Sequence, residues 1–206
     1  MCHTSPMSSM SSMSPMSPMK SVVIDRQIMY DGSQIDPLWA YEHLDVRGDS
    51  VIVFRGAMDV VHVKDIEDEK DGKAIRGDSL IHLIVERFDS PANMRHAYYL
   101  QRILIVCVQD VLRNLGVTAE RGGDDLFVDG GKLTVSIATA GISSEKIHCG
   151  INLTGRGTPA EANAVGLSEI GIDPDSWNEI GKKIADRFVS EIRDIESDIC
   201  KTRPLT

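Results

Sequence analysis

The sequence predicts an α+β domain, and three observations carry that expectation. A hairpin pattern fills residues 121–138. Two apolar strand runs, 50–54 and 80–88, stand apart from it. Two long stretches, 90–115 and 173–199, repeat apolar residues at helical spacing.

The first element is a tail. Met7, Met10, Met13 and Met16 recur every third residue among Ser and Pro, with Met19 following. So little apolar bulk cannot offset its ordering entropy, so residues 1–18 are expected to be disordered. No basic segment precedes an apolar one, and His3 and Lys20 are the nearby basic groups, so neither a signal peptide nor an Arg-rich transit peptide is expected. One domain is expected over 19–200, and a short tail over 201–206.

Within that domain, residues 21–25 read as a strand. Asp36 as N-cap and Pro37 at the first helical position open a short helix through Leu44. The unbroken apolar run 50–54 is a buried strand ending at Arg55-Gly56, and 64–73 is a charged loop. In strand 80–88 the even-numbered His82 and Glu86 share a face, opposite the core face of Ile81, Leu83 and Val85. That polar face is expected to line a cleft or meet water.

Ser90-Pro91 then caps a long helix carrying Met94, Tyr98, Ile105, Val108, Leu112 and Leu115, closed by Gly116. Strand 125–128, turn 129–131 and strand 133–138 make the hairpin. Strand 147–153 and a glycine-containing loop, 155–159, come next. Asp173-Pro174 opens the last helix, with the stripe Trp177, Ile180, Ile184, Phe188, Ile192, Ile195 and Ile199.

Composition excludes several function classes. At 206 residues and 42% apolar content the chain can bury one sizeable core, and at 5% aromatic that core rests on Ile, Val and Leu. The net charge of −9 argues against a nucleic-acid or anionic-membrane binder, which would cluster Lys and Arg. No apolar run approaches the roughly 20 residues needed to span a bilayer. Cys2, Cys107, Cys149 and Cys200 are scattered without metal or disulfide spacing, and a reduced cytoplasmic protein is the simplest reading.

The chemistry centres on Lys132, seven residues after Asp125 and first on the returning hairpin strand. It cannot be buried alone at low cost, so it faces water or holds an anionic ligand. His82 and Glu86 could act as base and orienter, or as ligands beside a third group. His148 and Cys149 point to opposite sides of their strand, so His148 cannot readily activate the thiol, and Cys149 reads as a small core residue. The acidic run 64–71 could hold magnesium for a nucleotide, although solvated charge runs are commoner. In Gly155-Arg-Gly-Thr-Pro the proline breaks any phosphate loop before a helix can start.

Arg121 to Leu133 resembles the catalytic core of biotin protein ligases and lipoate ligases, where Asn-Asp-Leu leads to Lys-Leu or Lys-Ile. Asp125, Leu126, Lys132 and Leu133 fall on the matching positions, and Asp124 stands where asparagine is usual. Ile147-His-Cys-Gly-Ile-Asn-Leu153 is similar to the Gly-Ile-Asn strand of the same families. Asp36-Pro-Leu-Trp-Ala and Glu67-Asp68 also resemble a small archaeal family of unknown function on that fold.

The resemblance implies a mixed, mainly antiparallel sheet flanked by helices, of the class II synthetase and biotin/lipoate ligase type. It further implies adenylate-forming chemistry on a small carboxylate, which would use ATP with Mg2+, or acyl transfer. Acyl transfer without ATP would need a reactive cysteine, and none is well placed. Lys132 would neutralise the carboxylate, Asp125 would orient that lysine, and Asn152 would hydrogen-bond the ligand. Arg55 would meet phosphate, and Gly56 and Asp124 belong to the ligand-binding set, which His82 and Glu86 join on the strength of their shared strand face. The alternative is a non-catalytic ligand-binding or regulatory protein on the same fold. A small carboxylate or nucleotide is the expected partner, no nucleic acid or membrane is, and a homodimer is a possible assembly. The chain departs from the ligases in two places. Phe54-Arg55-Gly56-Ala57 stands where they carry a longer arginine-glycine loop, and Thr134-Val135 where they place a small residue and glycine.

Overall fold

A computed structural model describes residues 18–205, so the tail expected over 1–18 lies outside the described residues, Pro18 excepted. Five strands form the main sheet: β1 (Lys20–Ile24), β2 (Ser50–Asp59), β3 (Arg76–Arg87), β7 (Thr134–Ala140) and β8 (Glu145–Asn152). Their spatial order is β1-β2-β3-β8-β7; β1 runs parallel to β2, and every other pairing is antiparallel. β4 (Glu120–Gly122), β5 (Asp125–Val128) and β6 (Gly131–Lys132) make a second, three-stranded sheet. The expected hairpin is thus cut short: past the turn β5 pairs with β6 alone, and the return strand expected over 133–138 leaves it, because β7 pairs with β8 in the main sheet. The architecture is the expected α+β one, with a mixed, mainly antiparallel sheet.

Two long helices cover one face of the main sheet. α3 (Met94–Asn114) starts where the Asn93 side chain accepts from the His96 amide, and Gly116 ends it at φ 83°. α4 (Trp177–Lys201) follows a helical turn begun by Asp173, whose carboxylate accepts from the Asp175 amide. Ile180, Ile184, Phe188 and Ile192 recur every fourth residue and bury themselves against Val51, Val53, Ile81 and Leu83. Burying a side chain such as Phe188 contributes about 2–3 kcal/mol.

The other face is covered by residues 28–44, which place Tyr30, Ile35, Trp39 and Ala40 over Ile52, Phe54, Leu80 and Ile84. Residues 28–30 run beside β2, with the Tyr30 amide donating to the Ala57 carbonyl at 2.9 Å. A Cβ on Gly56 would sit 1.8 Å from the Ile28 carbonyl oxygen. Only glycine allows that approach, and a register shift between Gly56 and Met58 follows it.

Several expected boundaries move. The short helix α1 (Trp39–Leu44) starts after Asp36-Pro37, because Leu38 takes a left-handed φ of 67° and Asp36 ends a 3-10 turn instead. β2 continues past Arg55 to Asp59, and β3 starts at Arg76, because each completes the other's ladder. The charged loop contains a helix, α2 (Ile66–Asp71), capped by the Asp65 carboxylate and ended by Gly72. Asn93, not Ser90-Pro91, caps α3. Met94, Tyr98, Ile195 and Ile199 are exposed; at the start of α3 the buried face runs through Ala97, Leu100 and Gln101 instead of Met94 and Tyr98. No helix of the described residues is long and apolar enough to cross a membrane.

Candidate functional site

β5, β6 and β8 bring Lys132, Asp125 and Asn152 together. The Lys132 Nζ lies 2.8 Å from Asp125 Oδ2, and both side chains are partly exposed. Burial raises the Asp125 carboxyl, and the lysine beside it only partly offsets that. The Asn152 amide donates to the carbonyls of Lys132 and Val165, each at 3.2 Å, so Asn152 fixes the lysine's backbone. Asp124 is turned away: it pairs with Arg102 at 2.8 Å and accepts from Gln101 at 3.0 Å, on the α3 side.

A cavity of about 400 Å3 opens beside Lys132. Its apolar wall is built from Tyr30, Ile35, Met58, Val135 and Ile137, and His148 joins them. Lys64, Lys73 and Arg76 add positive charge to the lining, partly countered by Asp65, Asp68 and Glu161. Such a mixture suits an anion with an apolar body. Val135 occupies part of that wall, as a β-branched residue replacing a glycine would.

Arg55 is not in this cavity. It emerges on the α4 side, donates to Ser79 Oγ at 3.3 Å and pairs with Asp175 at 3.7 Å, beside a smaller hollow of about 240 Å3. Odd- and even-numbered residues of β2 point to opposite faces, so Arg55 cannot join groups that share the Phe54 face. Gly56 presents its carbonyl to His82 Nε2 at 3.2 Å and packs its α-carbon against the Ile28 carbonyl. Arg55 and the Lys132 cavity therefore lie on opposite faces of the sheet.

His82 and Glu86 also depart from expectation. Both are buried, because residues 28–44 roof the face that was expected to meet a cleft or water. His82 Nδ1 bonds His148 Nε2 at 3.0 Å, and burial pushes His82 down to about 4. Glu86 accepts from the Leu38 amide and the Ser144 hydroxyl, and its other oxygen pairs with Lys146 Nζ at 2.7 Å. Burial lowers Lys146 despite that partner, and among the described residues Nζ has no other acceptor. Base-and-orienter chemistry between His82 and Glu86 has no support, since each is bonded elsewhere.

Cys149 is fully buried and its thiol is pushed up by burial, on the face opposite His148. In the acidic run, Asp65 caps its own helix and Asp68 pairs with Lys73 at 3.0 Å. The glycine loop after β8 is already filled. Glu169 accepts from the Thr154 hydroxyl and the amides of Gly155 and Gly166, bonds that outweigh burial and lower its carboxyl. Asp89, His96 and Glu145 could together hold a metal ion, each giving one atom within 4.8 Å of the others. Arg87 supplies positive charge there already, its Nε 2.8 Å from Asp89.

Sequence reasoning missed Tyr30 and Lys146, and weighed His148 only as a partner for Cys149. The even-numbered positions of β8, Lys146, His148 and Asn152, alternate with the apolar Ile147, Cys149 and Ile151. That alternation was the available signal for a polar face.

Residues 19–203 match a family described as "Domain of unknown function (DUF366)". An uncharacterized protein of Methanocaldococcus jannaschii is 36% identical over 190 residues, covering 89% of this chain and 84% of the relative. A protein of unknown function from Pyrococcus horikoshi superposes with a TM-score of 0.86 at 41% identity, over 91% of this chain and all of that one. A biotin protein ligase mutant from Aquifex aeolicus, in complex with biotin, gives 0.59 at 14% identity, over 85% and 71% of the two chains. A lipoate-protein ligase A bound with ATP gives 0.57 at 11%, over 86% of each. At those identities the two ligases share the fold alone.

Proposed function

This chain belongs to the DUF366 family, and on its ligase-like fold we propose that it binds a small carboxylic acid in the Lys132 cavity and activates it as an acyl-adenylate. The observation that carries this reading is the partly exposed lysine beside an apolar cavity of about 400 Å3. Lys132 would neutralise the carboxylate while Asp125 aims its ammonium group and Asn152 holds its backbone. A carboxylate oxygen would then bond to the α-phosphorus of ATP, and the bond to the bridging oxygen would break as pyrophosphate leaves. Lys73 and Arg76 offer charge to the phosphates, and Mg2+ would arrive with the nucleotide. Losing one such electrostatic group costs on the order of 3 kcal/mol of barrier.

A second reading is carried by two specific observations. Lys132 already has a carboxylate partner, and Arg55 lies on the other face. Both favour a ligand-binding or regulatory protein without catalysis. One experiment separates the two. Nonanoic acid should raise the melting temperature of the wild type and not of Lys132→Ala, and Lys132→Arg should recover only part of the rise. Adding ATP with Mg2+ should release pyrophosphate in an acid-dependent way. Binding without pyrophosphate leaves the regulatory reading, and equal thermal shifts in all three proteins remove Lys132 from the site.

A further inference from the structure

One carbonyl sets the direction of a hydrogen-bond chain that ends in the Lys132 cavity. His82 Nε2 lies 3.2 Å from the Gly56 carbonyl oxygen, which can only accept. That nitrogen therefore carries the proton. His82 is fully buried and neutral at pH 7, so its Nδ1 has a lone pair. His148 Nε2, 3.0 Å away, must donate to it. Burial first, and then His82, hold His148 well below the ordinary range, so it too is neutral and its second nitrogen, Nδ1, keeps a lone pair. Among the described residues nothing donates to that atom, and His148 lines the cavity. Tyr30 stacks on the ring at 3.6 Å between centroids and fixes its plane.

We propose that His148 Nδ1 is an obligate hydrogen-bond acceptor in the cavity, which therefore selects carboxylic acids whose apolar body carries an N–H or O–H donor. The proposal rests on the reading that Lys132 holds the carboxylate. It adds the second anchor, and with it the substrate class. His148 and Asn152, whose side chain holds the Lys132 backbone, are four residues apart on β8, about 13 Å along the strand. The donor therefore belongs toward the end of the ligand away from the carboxylate. A plain alkyl acid would leave the acceptor without a partner when it displaced water, and the unmade bond is the source of discrimination.

Two measurements test this. In protein labelled with 15N-histidine, NMR at pH 7 should show His148 neutral, protonated at Nε2 and bare at Nδ1. Protonation at Nδ1, alone or in an imidazolium, overturns the proposal. Calorimetry should then find ω-hydroxynonanoic acid bound about five- to tenfold more tightly than nonanoic acid by the wild type. His148→Phe should lose that preference while still binding nonanoic acid through Lys132. The wild-type comparison and the tautomer stand even where this variant folds poorly. Equal binding of both acids, abolished by Lys132→Ala, overturns the selectivity and leaves the carboxylate site intact. Binding that ignores Lys132→Ala overturns the carboxylate site, and the selectivity with it.

Discussion

The two faces of the main sheet are made by alternate residues of the same strands, yet they have opposite characters. On the helix side β3 and β8 give Ile81, Leu83, Val85, Ile147, Cys149 and Ile151, all buried against α3 and α4. On the other side the same strands give His82, Glu86, Lys146, His148 and Asn152, buried just as deeply among a few apolar neighbours. The first face is a core that stabilises. The second carries groups whose burial costs free energy unless each is bonded, and its far end opens into the Lys132 cavity. A protein that needed only stability would fill that face with leucine.

The largest test of this contrast is the Glu86–Lys146 pair. Lys146→Met should strand a carboxylate that is 3% exposed and lower stability by about 3–5 kcal/mol, on the order of a 10 °C fall in melting temperature. The double change Glu86→Leu with Lys146→Met should recover much of that loss, because the pair would be replaced rather than broken. Recovery is limited by the Leu38 amide and Ser144 hydroxyl, which lose their acceptor. A single variant as stable as the wild type would show that this face is not a costly one.

The histidine chain gives a smaller, pH-dependent effect. His82 is depressed from 6.5 to about 4 in the folded protein, with burial as the first cause. Its stabilising contribution is full above pH 6.5 and is lost as pH falls toward 4, because the unfolded chain takes up the proton first. The loss across that window is on the order of 3 kcal/mol. Urea unfolding at a series of pH values should show it, and His82→Gln should flatten the slope. A wild-type slope matched by the variant would mean that His82 is not the group responsible.

How much of this was legible in the chain follows from what each signal depends on. The stripe from Ile180 to Ile192 and the strand runs are local periodicities, and they placed the elements. Which strand 134–140 pairs with was not legible, since its partner β8 is set by the sheet and not by the turn at 129–131. The Lys132–Asp125–Asn152 grouping was found through paired motifs, since nothing in the spacing of 125, 132 and 152 brings them together. Burial of His82 and Glu86 was not legible, because it depends on residues 28–44 folding back over the sheet, and that covering segment leaves no period. The helix at Ile66–Asp71 was legible in principle: Asp65 precedes it and Gly72 follows it, a cap at each end, but its charge hid it.

The smallest effect concerns Arg55, which the ligase resemblance would place with the ligand and the geometry places on the helix side. Its partner Asp175 is 88% exposed at 3.7 Å, so the ion pair contributes little in water. Arg55→Ala should change stability by less than about 1 kcal/mol. It should also leave nonanoic acid binding at Lys132 unchanged, because the arginine lies beside the smaller hollow, with Ser79 and Arg156. Loss of acid binding or of pyrophosphate release in this variant would mean that the two faces act together. The division of labour drawn between them would then fail at the one residue that was expected to cross it.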